Sequence, residues 1–167
     1  DNGWLMSAVD ALGHTVSFTR DIMGRTTQVT PPIGNATSIA YNFAGGGAVQ
    51  TITTGAKTET VTYDSMFRPT LVDIGGQIYS STTYDALGRK TFESFPSSSP
   101  SPTTGTSYTY DGLGRLLTST TSAGTTTNAY ISHGMEVTGP TGAKTQFLTY
   151  GYDGPGSKDY RSIYLYD

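Results

Sequence analysis

The sequence contains no cysteine, few charged residues and few strong helix formers. Without Cys it has no disulfide, no thiolate metal ligand and no cysteine nucleophile. Charged residues make up 14% of the 167 residues, against roughly 25% in an ordinary soluble domain, and the net charge is -3. Because ten Lys and Arg do not supply the basic surface that binds a phosphate backbone, we expect no nucleic-acid partner.

Long apolar segments are also missing. No window approaches the roughly 18 consecutive apolar residues of a membrane-spanning helix, so we expect no membrane span. The first four residues, Asp1-Asn2-Gly3-Trp4, have neither the charged nor the apolar region of a signal peptide. We therefore expect any export signal to lie outside this chain.

The abundant residues are those of strands and turns. The chain has 30 Thr, 17 Ser, 21 Gly and 12 Tyr. Thr and Tyr favour strands, whereas Gly and Ser favour turns. Disordered chains combine few aromatic residues with a high net charge, and this chain has the opposite combination. The composition therefore predicts an all-β protein.

A short motif recurs along the chain. Tyr-Asp occurs five times, at Tyr63-Asp64, Tyr84-Asp85, Tyr110-Asp111, Tyr152-Asp153 and Tyr166-Asp167. A Gly-Arg pair begins three residues after Asp21, Asp85 and Asp111, which defines the motif Tyr-Asp-x-x-Gly-Arg. Degenerate copies begin at positions 20, 41, 63 and 130. A further copy at residues 9–14 has His in the place of Arg and begins only eleven residues before the next one.

The copies from position 20 to position 152 follow one another at intervals of about 21 residues, which indicates a repeat architecture. One interval is longer and contains a segment rich in Pro and Ser. We therefore predict a single repeat domain over residues 1–167, with about seven to eight repeats and a Pro/Ser-rich loop at residues 95–105.

Each motif has the form of a hairpin turn. Asp at the first position and Gly at the fourth are typical of a type I turn in which Asp caps the turn amides and Gly is left-handed. We call the five residues from Asp to Arg a corner. A second turn falls midway between corners, and Thr or Gly alternates with larger residues in between. The pattern predicts roughly fourteen to sixteen antiparallel strands, with rings on one face and hydroxyls on the other.

Two copies carry a specific resemblance. Tyr84-Asp85-Ala86-Leu87-Gly88-Arg89-Lys90 and Tyr110-Asp111-Gly112-Leu113-Gly114-Arg115-Leu116 resemble the YD repeats of bacterial Rhs proteins, which are related to repeats in insecticidal toxin-complex shells and in teneurins. The resemblance extends over nearly the whole chain. In that family the repeats form a ribbon of β-hairpins that spirals into a hollow shell, often around a C-terminal toxin. The resemblance implies that this chain is an antiparallel hairpin ribbon or shell segment with a structural role and no catalysis.

The candidate site residues are those of the corners. They are Asp21, Gly24, Arg25, Tyr63, Asp64, Arg68, Tyr84, Asp85, Gly88, Arg89, Tyr110, Asp111, Gly114, Arg115, Tyr152 and Asp153. We expect each Asp to cap its own turn, each Arg to pair with a carboxylate or carbonyl of a neighbouring repeat, and each Tyr to stack on the equivalent ring of the next repeat. A glycosidase needs a unique pair of carboxylates and a calcium repeat needs several, whereas each repeat here offers one. We expect no catalytic residue, cofactor or metal.

Two functions of different classes remain open. The first is a structural component of a bacterial β-shell or filament, secreted or displayed at the cell surface and possibly part of a larger encapsulating or toxin-delivery protein. The alternative is a carbohydrate-binding module, because a stripe of exposed Tyr rings offers apolar faces with a hydroxyl at the tip. Burial of the corner Tyr residues favours the first function, and open rings favour the second.

The end strands of a hairpin ribbon present unpaired backbone groups that invite another chain. The chain opens with Asp1-Asn2-Gly3-Trp4-Leu5, a corner lacking its Tyr, and closes on Tyr164-Leu165-Tyr166-Asp167, a corner that has just begun. We therefore expect either the remainder of a longer YD-repeat chain or self-association into a filament.

Overall fold

A computed structural model describes residues 3–43, 45–132, 134–149 and 160–166. The all-β prediction is confirmed, because these residues form fifteen β-strands and contain no helix. A single repeat domain was predicted, and the chain divides into two compact units built of the same hairpins. The first unit contains Asp1–Thr82 with Pro96–Pro102, and the second contains Thr83–Phe95 with Thr103–Asp167.

The first unit contains seven strands and most of an eighth. They are β1 (Ser7–Val9), β2 (Thr15–Arg20), β3 (Thr26–Thr30), β4 (Thr37–Asn42), β5 (Ala48–Thr54), β6 (Lys57–Tyr63), β7 (Pro69–Ile74) and β8 (Ile78–Tyr84). Each pairs antiparallel with the next strand of the chain, as a meander of hairpins requires.

The second unit contains the remaining strands. They are β9 (Lys90–Ser94), β10 (Gly105–Tyr110), β11 (Leu116–Thr121), β12 (Gly124–Ile131), β13 (Gly134–Thr138), β14 (Lys144–Thr149) and β15 (Tyr160–Tyr166). They too pair antiparallel in chain order. Thr and Tyr dominate these strands, and both are residues that pack well on a pleated, half-buried surface.

Corners lie at defined edges of the strands. The Asp21, Asp64 and Asp111 corners each connect an even-numbered strand to the next odd-numbered strand. The Asp21 and Asp64 corners therefore lie at the same edge of the strands in the first unit. The Asp10 corner connects β1 to β2 and therefore lies at the opposite edge. Successive turns of a meander alternate between edges, so a copy displaced by half a period falls on the other side. This explains the eleven-residue spacing between the first two copies.

The two faces of the strands differ as the alternation predicts. In the second unit Thr109 pairs with Thr118, which pairs with Thr127, so these hydroxyls share one face. Tyr110 and Tyr130 occupy alternate positions on the same strands and point to the other face, where they are half-buried. The Oγ1 atoms of Thr109 and Thr118 lie 2.6 Å apart, which adds a cross-strand hydrogen bond on the hydroxyl face.

Very little of the chain is fully buried. Among the described residues, the buried apolar side chains are Ala48 and Val61, with 8% and 9% of their surfaces exposed. Large apolar residues remain open to solvent in both units. A domain that packs two layers against each other buries many more large side chains. Each unit is therefore held together by strand pairing and by the contacts at its corners.

The Pro/Ser-rich loop is ordered by backbone pairing. It follows the buried Ser94, and Phe95 N donates to Thr104 O at 2.9 Å to close its base. Residues 96–102 belong to the first unit, where Ser97 and Tyr79 each donate a backbone N–H to the other's carbonyl. The Pro/Ser-rich loop is therefore held in place by backbone hydrogen bonds.

Candidate functional site: the Tyr-Asp corners

Five corners share one backbone geometry, and they begin at Asp10, Asp21, Asp64, Asp85 and Asp111. In each, the Asp N–H donates to the carbonyl of the residue four positions later at 2.9–3.0 Å. The N–H three positions after the Asp donates to the Asp carbonyl at 3.0–3.1 Å. The register shifts by one residue beside three of these corners, which is the bulge that closes a type I turn into a hairpin.

The Asp carboxylate completes each turn. In the Asp85 corner Oδ1 accepts the backbone N–H groups of Leu87 and Arg89 at 2.9 Å, and Oδ2 accepts Arg89 Nε at 2.7 Å. The same three bonds occur in the corners of Asp21, Asp64 and Asp111. In the first corner His14 Nδ1 takes the place of the guanidinium, 2.9 Å from Asp10 Oδ2.

These bonds stabilise the ionised carboxylate. The backbone N–H of the corner Arg is the largest influence on the pKa values of Asp64, Asp85 and Asp111, and desolvation, the second largest, opposes it. Together with the bond from the Arg side chain, the backbone bond holds these pKa values below their ordinary range. At Asp21 desolvation is the largest single influence and raises the pKa, but the bonds from Arg25 and Met23 together outweigh it, so that pKa is lowered as well.

The fourth corner position is left-handed in every case. Gly13, Gly24, Gly88 and Gly114 have φ between 81° and 85° there. The Asp64 corner has Phe67 at this position with φ 58°, and among the described residues it is the one non-glycine with positive φ. A side chain in this region costs roughly 1–2 kcal/mol, so the surrounding bonds must impose the conformation on Phe67.

Three corners, those of Asp21, Asp85 and Asp111, are each linked to the next by an Arg and a Tyr. The guanidinium of one corner lies over the Tyr ring that precedes the following corner, a geometry typical of a cation–π contact. The distances to the ring centres are 4.7 Å for Arg25 and Tyr41, 4.6 Å for Arg89 and Tyr110, and 4.1 Å for Arg115 and Tyr130. Arg89 Nη1 also donates to Asp111 O at 3.3 Å. One guanidinium thus joins two consecutive repeats.

The Tyr hydroxyl makes the second half of this link. Each hydroxyl donates to the backbone carbonyl of the residue that follows the Arg of the preceding corner. The pairs are Tyr41 with Thr26 O at 3.2 Å, Tyr110 with Lys90 O at 2.8 Å and Tyr130 with Leu116 O at 2.9 Å. We call this arrangement of guanidinium, ring and hydroxyl the Arg–Tyr link. It accounts for two of the motif's four recurring residues, the Arg and the Tyr.

The link differs from the contacts expected from the sequence. Each Arg pairs first with the Asp of its own corner, and the bond to a neighbouring repeat is the additional one from Arg89. The rings of Tyr41, Tyr110 and Tyr130 stack on guanidinium groups, and ring pairs among the described residues include Tyr41–Phe43 and Phe43–Phe67. The constant order of Arg before the next Tyr is the sequence signal that could have revealed this.

One corner departs from the pattern. The copy at residues 41–46 has Asn42 in the place of Asp and Gly46 in the place of Arg. The chain therefore supplies no guanidinium from this corner to the next Tyr, which is Tyr63. The Tyr63 hydroxyl donates to the Gln50 Oε1 atom at 3.2 Å instead of to a backbone carbonyl. Tyr63 lacks the Arg–Tyr link.

The third corner position carries a feature that the motif Tyr-Asp-x-x-Gly-Arg conceals. It is apolar in all five regular corners and is occupied by Leu12, Met23, Met66, Leu87 and Leu113. These side chains are 65–82% exposed. A recurring Leu or Met at this position was visible in the sequence. In both units these apolar side chains are open to solvent among the described residues.

Two further observations bound the chemistry. In the part of the chain that the structure describes, no three His, Asp or Glu side chains lie close enough together to hold a metal ion. The same residues include no helix long and apolar enough to cross a membrane. Tyr152 and Asp153, which the motif also predicts as corner residues, lie outside the described residues.

Comparison with known proteins gives a match in structure. No family model matches the sequence, and a search of curated proteins finds no match. Solved structures do match, among them "Crystal Structure of TcdB2-TccC3-Cdc42" and "Crystal Structure of TcdB2-TccC3 without hypervariable C-terminal region". Each aligns with 80% of this chain at 18% identity and a TM-score of 0.53.

The matched region is a small part of those structures. This chain spans 7% of the length of either one. At 18% identity the likeness concerns the fold, and it confirms the resemblance to YD-repeat shells that the Tyr-Asp motifs predict. The chain therefore has the fold of a YD-repeat segment of the toxin-complex type.

Proposed function

We propose that this chain is a non-enzymatic structural segment of a longer YD-repeat shell or filament, secreted or displayed at a bacterial cell surface. The observation that carries the proposal is the Arg–Tyr link. The residues that make the motif recognisable bind one another, from one repeat to the next, and thereby fix the spacing of the hairpins. Side-chain contacts that recur between neighbouring repeats are what a ribbon requires.

The sparse burial supports a larger assembly. Ala48 and Val61 are too small a core to be the main stabilising element of a free domain of this length. The exposed apolar side chains at the third corner position add surface that another part of an assembly would cover. The 7% coverage of the matched structures fits a segment within a much longer chain. Such a chain could enclose or deliver a toxin, as the family resemblance implies.

The engagement of the carboxylates supports a role without catalysis. Both oxygens of each regular corner Asp already accept hydrogen bonds from their own corner. Their lowered pKa values keep them ionised near neutral pH, which is the wrong state for a general acid. The corner carboxylates make the same structural hydrogen bonds, so none of them is distinguished as a catalytic group.

A carbohydrate-binding Tyr stripe is not favoured by the contacts. The corner Tyr residues of the described strands are half-buried, and the rings of Tyr41, Tyr110 and Tyr130 are covered by guanidinium groups. A sugar would have to displace those groups to stack on the same faces. We therefore do not propose this alternative as the function of the stripe.

Sedimentation velocity tests the proposal directly. We expect the purified chain to form particles well above its 17.7 kDa mass at micromolar concentration, with elongated or hollow shapes in electron micrographs. A compact, stable monomer without glycosidase or peptidase activity would refute assembly while leaving the fold intact. Turnover of a glycoside or peptide that disappears when one corner Asp is changed to Asn would refute the absence of catalysis.

A further inference from the structure

The Asn42 corner supplies no guanidinium to Tyr63, whereas three regular corners each supply one to the following Tyr. Gly46 stands where Arg89 stands in a regular corner, so that corner supplies no guanidinium to the next ring. Across the described residues, no cationic group contacts the Tyr63 ring, whereas Tyr110 has Arg89 at 4.6 Å from its ring centre. Tyr63 thus presents a ring of the same motif without its usual cation.

Tyr63 is one of the residues that line a cavity. Its volume is about 360 Å³, and its wall includes Tyr63, Asp64 and Ser65 on one side and the glycines of the Asn42 corner on the other. Gly47 approaches Tyr63 O so closely that a Cβ at position 47 would collide with that oxygen. The three glycines add no side chain to this wall, which continues along Ala48 and Val49. The cavity is open to solvent and is large enough for the end of an Arg side chain.

The regular corners show which group this surface accepts. At the Asp111 corner a guanidinium lies over the Tyr110 ring and donates to Asp111 O at 3.3 Å. The corresponding carbonyl, Asp64 O, accepts Phe67 N at 3.0 Å and has a second lone pair. The ring and the carbonyl that hold a guanidinium at one corner are thus repeated at the other, in Tyr63 and Asp64, and both of these residues line the cavity.

We propose that the cavity beside Tyr63 binds the guanidinium group of an arginine side chain presented by another polypeptide. The ligand would stack on the Tyr63 ring and donate a hydrogen bond to Asp64 O, as Arg89 does at its own neighbouring corner. This site is independent of whether the chain forms a shell or a filament, so its test does not depend on the proposed function.

An arginine fits better than the other candidates. A planar guanidinium stacks on a ring and still directs its N–H groups sideways to an acceptor, whereas a Lys ammonium is a compact, strongly hydrated charge. Ser65 and the bare glycine backbone add further polar groups around the cation. A neutral sugar would gain the ring contact but not the charge-dependent attraction that holds the guanidinium groups at regular corners.

Nuclear magnetic resonance with ring-labelled tyrosine gives the most direct test. The probe is N-acetyl-arginine methylamide, titrated at constant ionic strength, and the Tyr63 signal is assigned by its loss in Tyr63→Phe. We expect a saturable shift of Tyr63 with a dissociation constant of roughly 1–10 mM, because one cation–π contact and one hydrogen bond are weak. The citrulline analogue has the same shape without the charge and should bind at least tenfold more weakly.

Two variants serve as matched controls. Tyr63→Leu should abolish the response seen at neighbouring labelled rings, while Tyr63→Phe should retain binding because the ring face remains. Tyr110→Leu removes a ring that Arg89 already covers, so it should leave arginine binding at Tyr63 unchanged. Circular dichroism of each variant shows that the strands are intact, and Tyr63→Phe gives a second readout if Tyr63→Leu fails to fold.

The proposal fails under any of three results. The first is the absence of a Tyr63 shift up to about 100 mM probe, which is far above the expected dissociation constant. The second is equal binding of the citrulline analogue. The third is arginine binding that survives in a folded Tyr63→Leu variant. A shift produced by maltose but not by arginine would also overturn it, and would assign the cavity to a carbohydrate.

Discussion

The Asp64 corner and the Asp111 corner share their hydrogen bonds and differ in almost everything around them. In both, the carboxylate binds two backbone N–H groups and the Nε atom of the corner Arg. The Asp64 corner has Phe67 in the left-handed position, and its Tyr63 lacks the Arg–Tyr link. The Asp111 corner has Gly114 at that position, and Arg89 covers its Tyr110.

This difference shows that the motif has two separate structural roles, forming the turn and attaching one repeat to the next. The turn itself depends on the Asp and the backbone bonds, since it forms with either Phe or Gly at the fourth position. The attachment of one repeat to the next depends on the Arg of the preceding corner, which the Asn42 corner lacks. A corner can therefore form its turn even where the contact with the neighbouring repeat is missing.

The largest expected effect concerns the link. Tyr110→Leu removes the hydroxyl bond to Lys90 O and the ring beneath Arg89, so we expect a loss of about 2 kcal/mol in the free energy of unfolding. Tyr63→Leu removes one hydroxyl bond to Gln50 and should cost about 1 kcal/mol. Urea unfolding at a fixed chain concentration measures both. Equal losses at the two positions would show that the guanidinium contributes nothing.

The second effect concerns the left-handed position. Gly114 has φ 81°, and a Cβ there would meet nothing closer than Arg89 Nη1 at 3.9 Å, so a substitution costs conformational energy rather than space. We expect Gly114→Phe to destabilise by about 1–2 kcal/mol. Gly112, in the same corner, has open space and no positive φ, which makes Gly112→Phe the matched control with a smaller loss. A neutral Gly114→Phe would mean that this corner tolerates a side chain as the Asp64 corner does.

The reverse substitution should have a smaller effect. Phe67→Gly relieves the left-handed strain but loses the tilted contact with Phe43, whose ring centre is 6.3 Å away, and adds backbone freedom to the unfolded chain. These opposing effects should leave a net change below about 1 kcal/mol. In a Phe43→Leu background the lost contact is already gone, so Phe67→Gly should become more favourable. If the two backgrounds respond alike in urea unfolding, Phe43 is not the compensating group.

The smallest effect is a shared dependence on acid. The bonds from the corner Arg lower the folded-state pKa values of Asp64 and Asp111, so ionisation stabilises the fold at pH values above the unfolded pKa. This stabilisation is lost as the pH falls below about 4 toward the folded-state values. We expect the urea midpoint to decline in that range, and Asp64→Asn and Asp111→Asn each to reduce the decline by a similar amount. An unchanged decline in both variants would place its origin outside the corners.

Much of this fold follows from local patterns. Asp followed three residues later by Gly defines a turn through bonds within five residues, and the alternation of Thr with larger residues defines the strands between. Both patterns rely on neighbours in the chain, so the hairpins and the two faces were predictable. The Arg–Tyr link was not, because Arg89 and Tyr110 are brought together by strand pairing across a whole repeat.

The degenerate corners show the same limit. The motif typically has Gly at its fourth position, yet Phe67 adopts the left-handed conformation there, where the bonds of Asp64 and Arg68 close the turn around it. The cavity beside Tyr63 depends on a missing Arg one repeat earlier, which reads in the sequence only as a poor copy of the motif. The contact of Ser97 with Tyr79 likewise joins residues from separate hairpins.

The sequence by itself determined the all-β class, the hairpin repeat, the position of the corners and the separation of rings from hydroxyls. Each of these depends on residue types at fixed short spacings, where sterics and local hydrogen bonds decide. Only the tertiary structure decided which groups cover the Tyr rings, which ring is left without a cation, and how the chain divides into two units. Those features depend on distances between repeats, which strand pairing sets and local spacing does not.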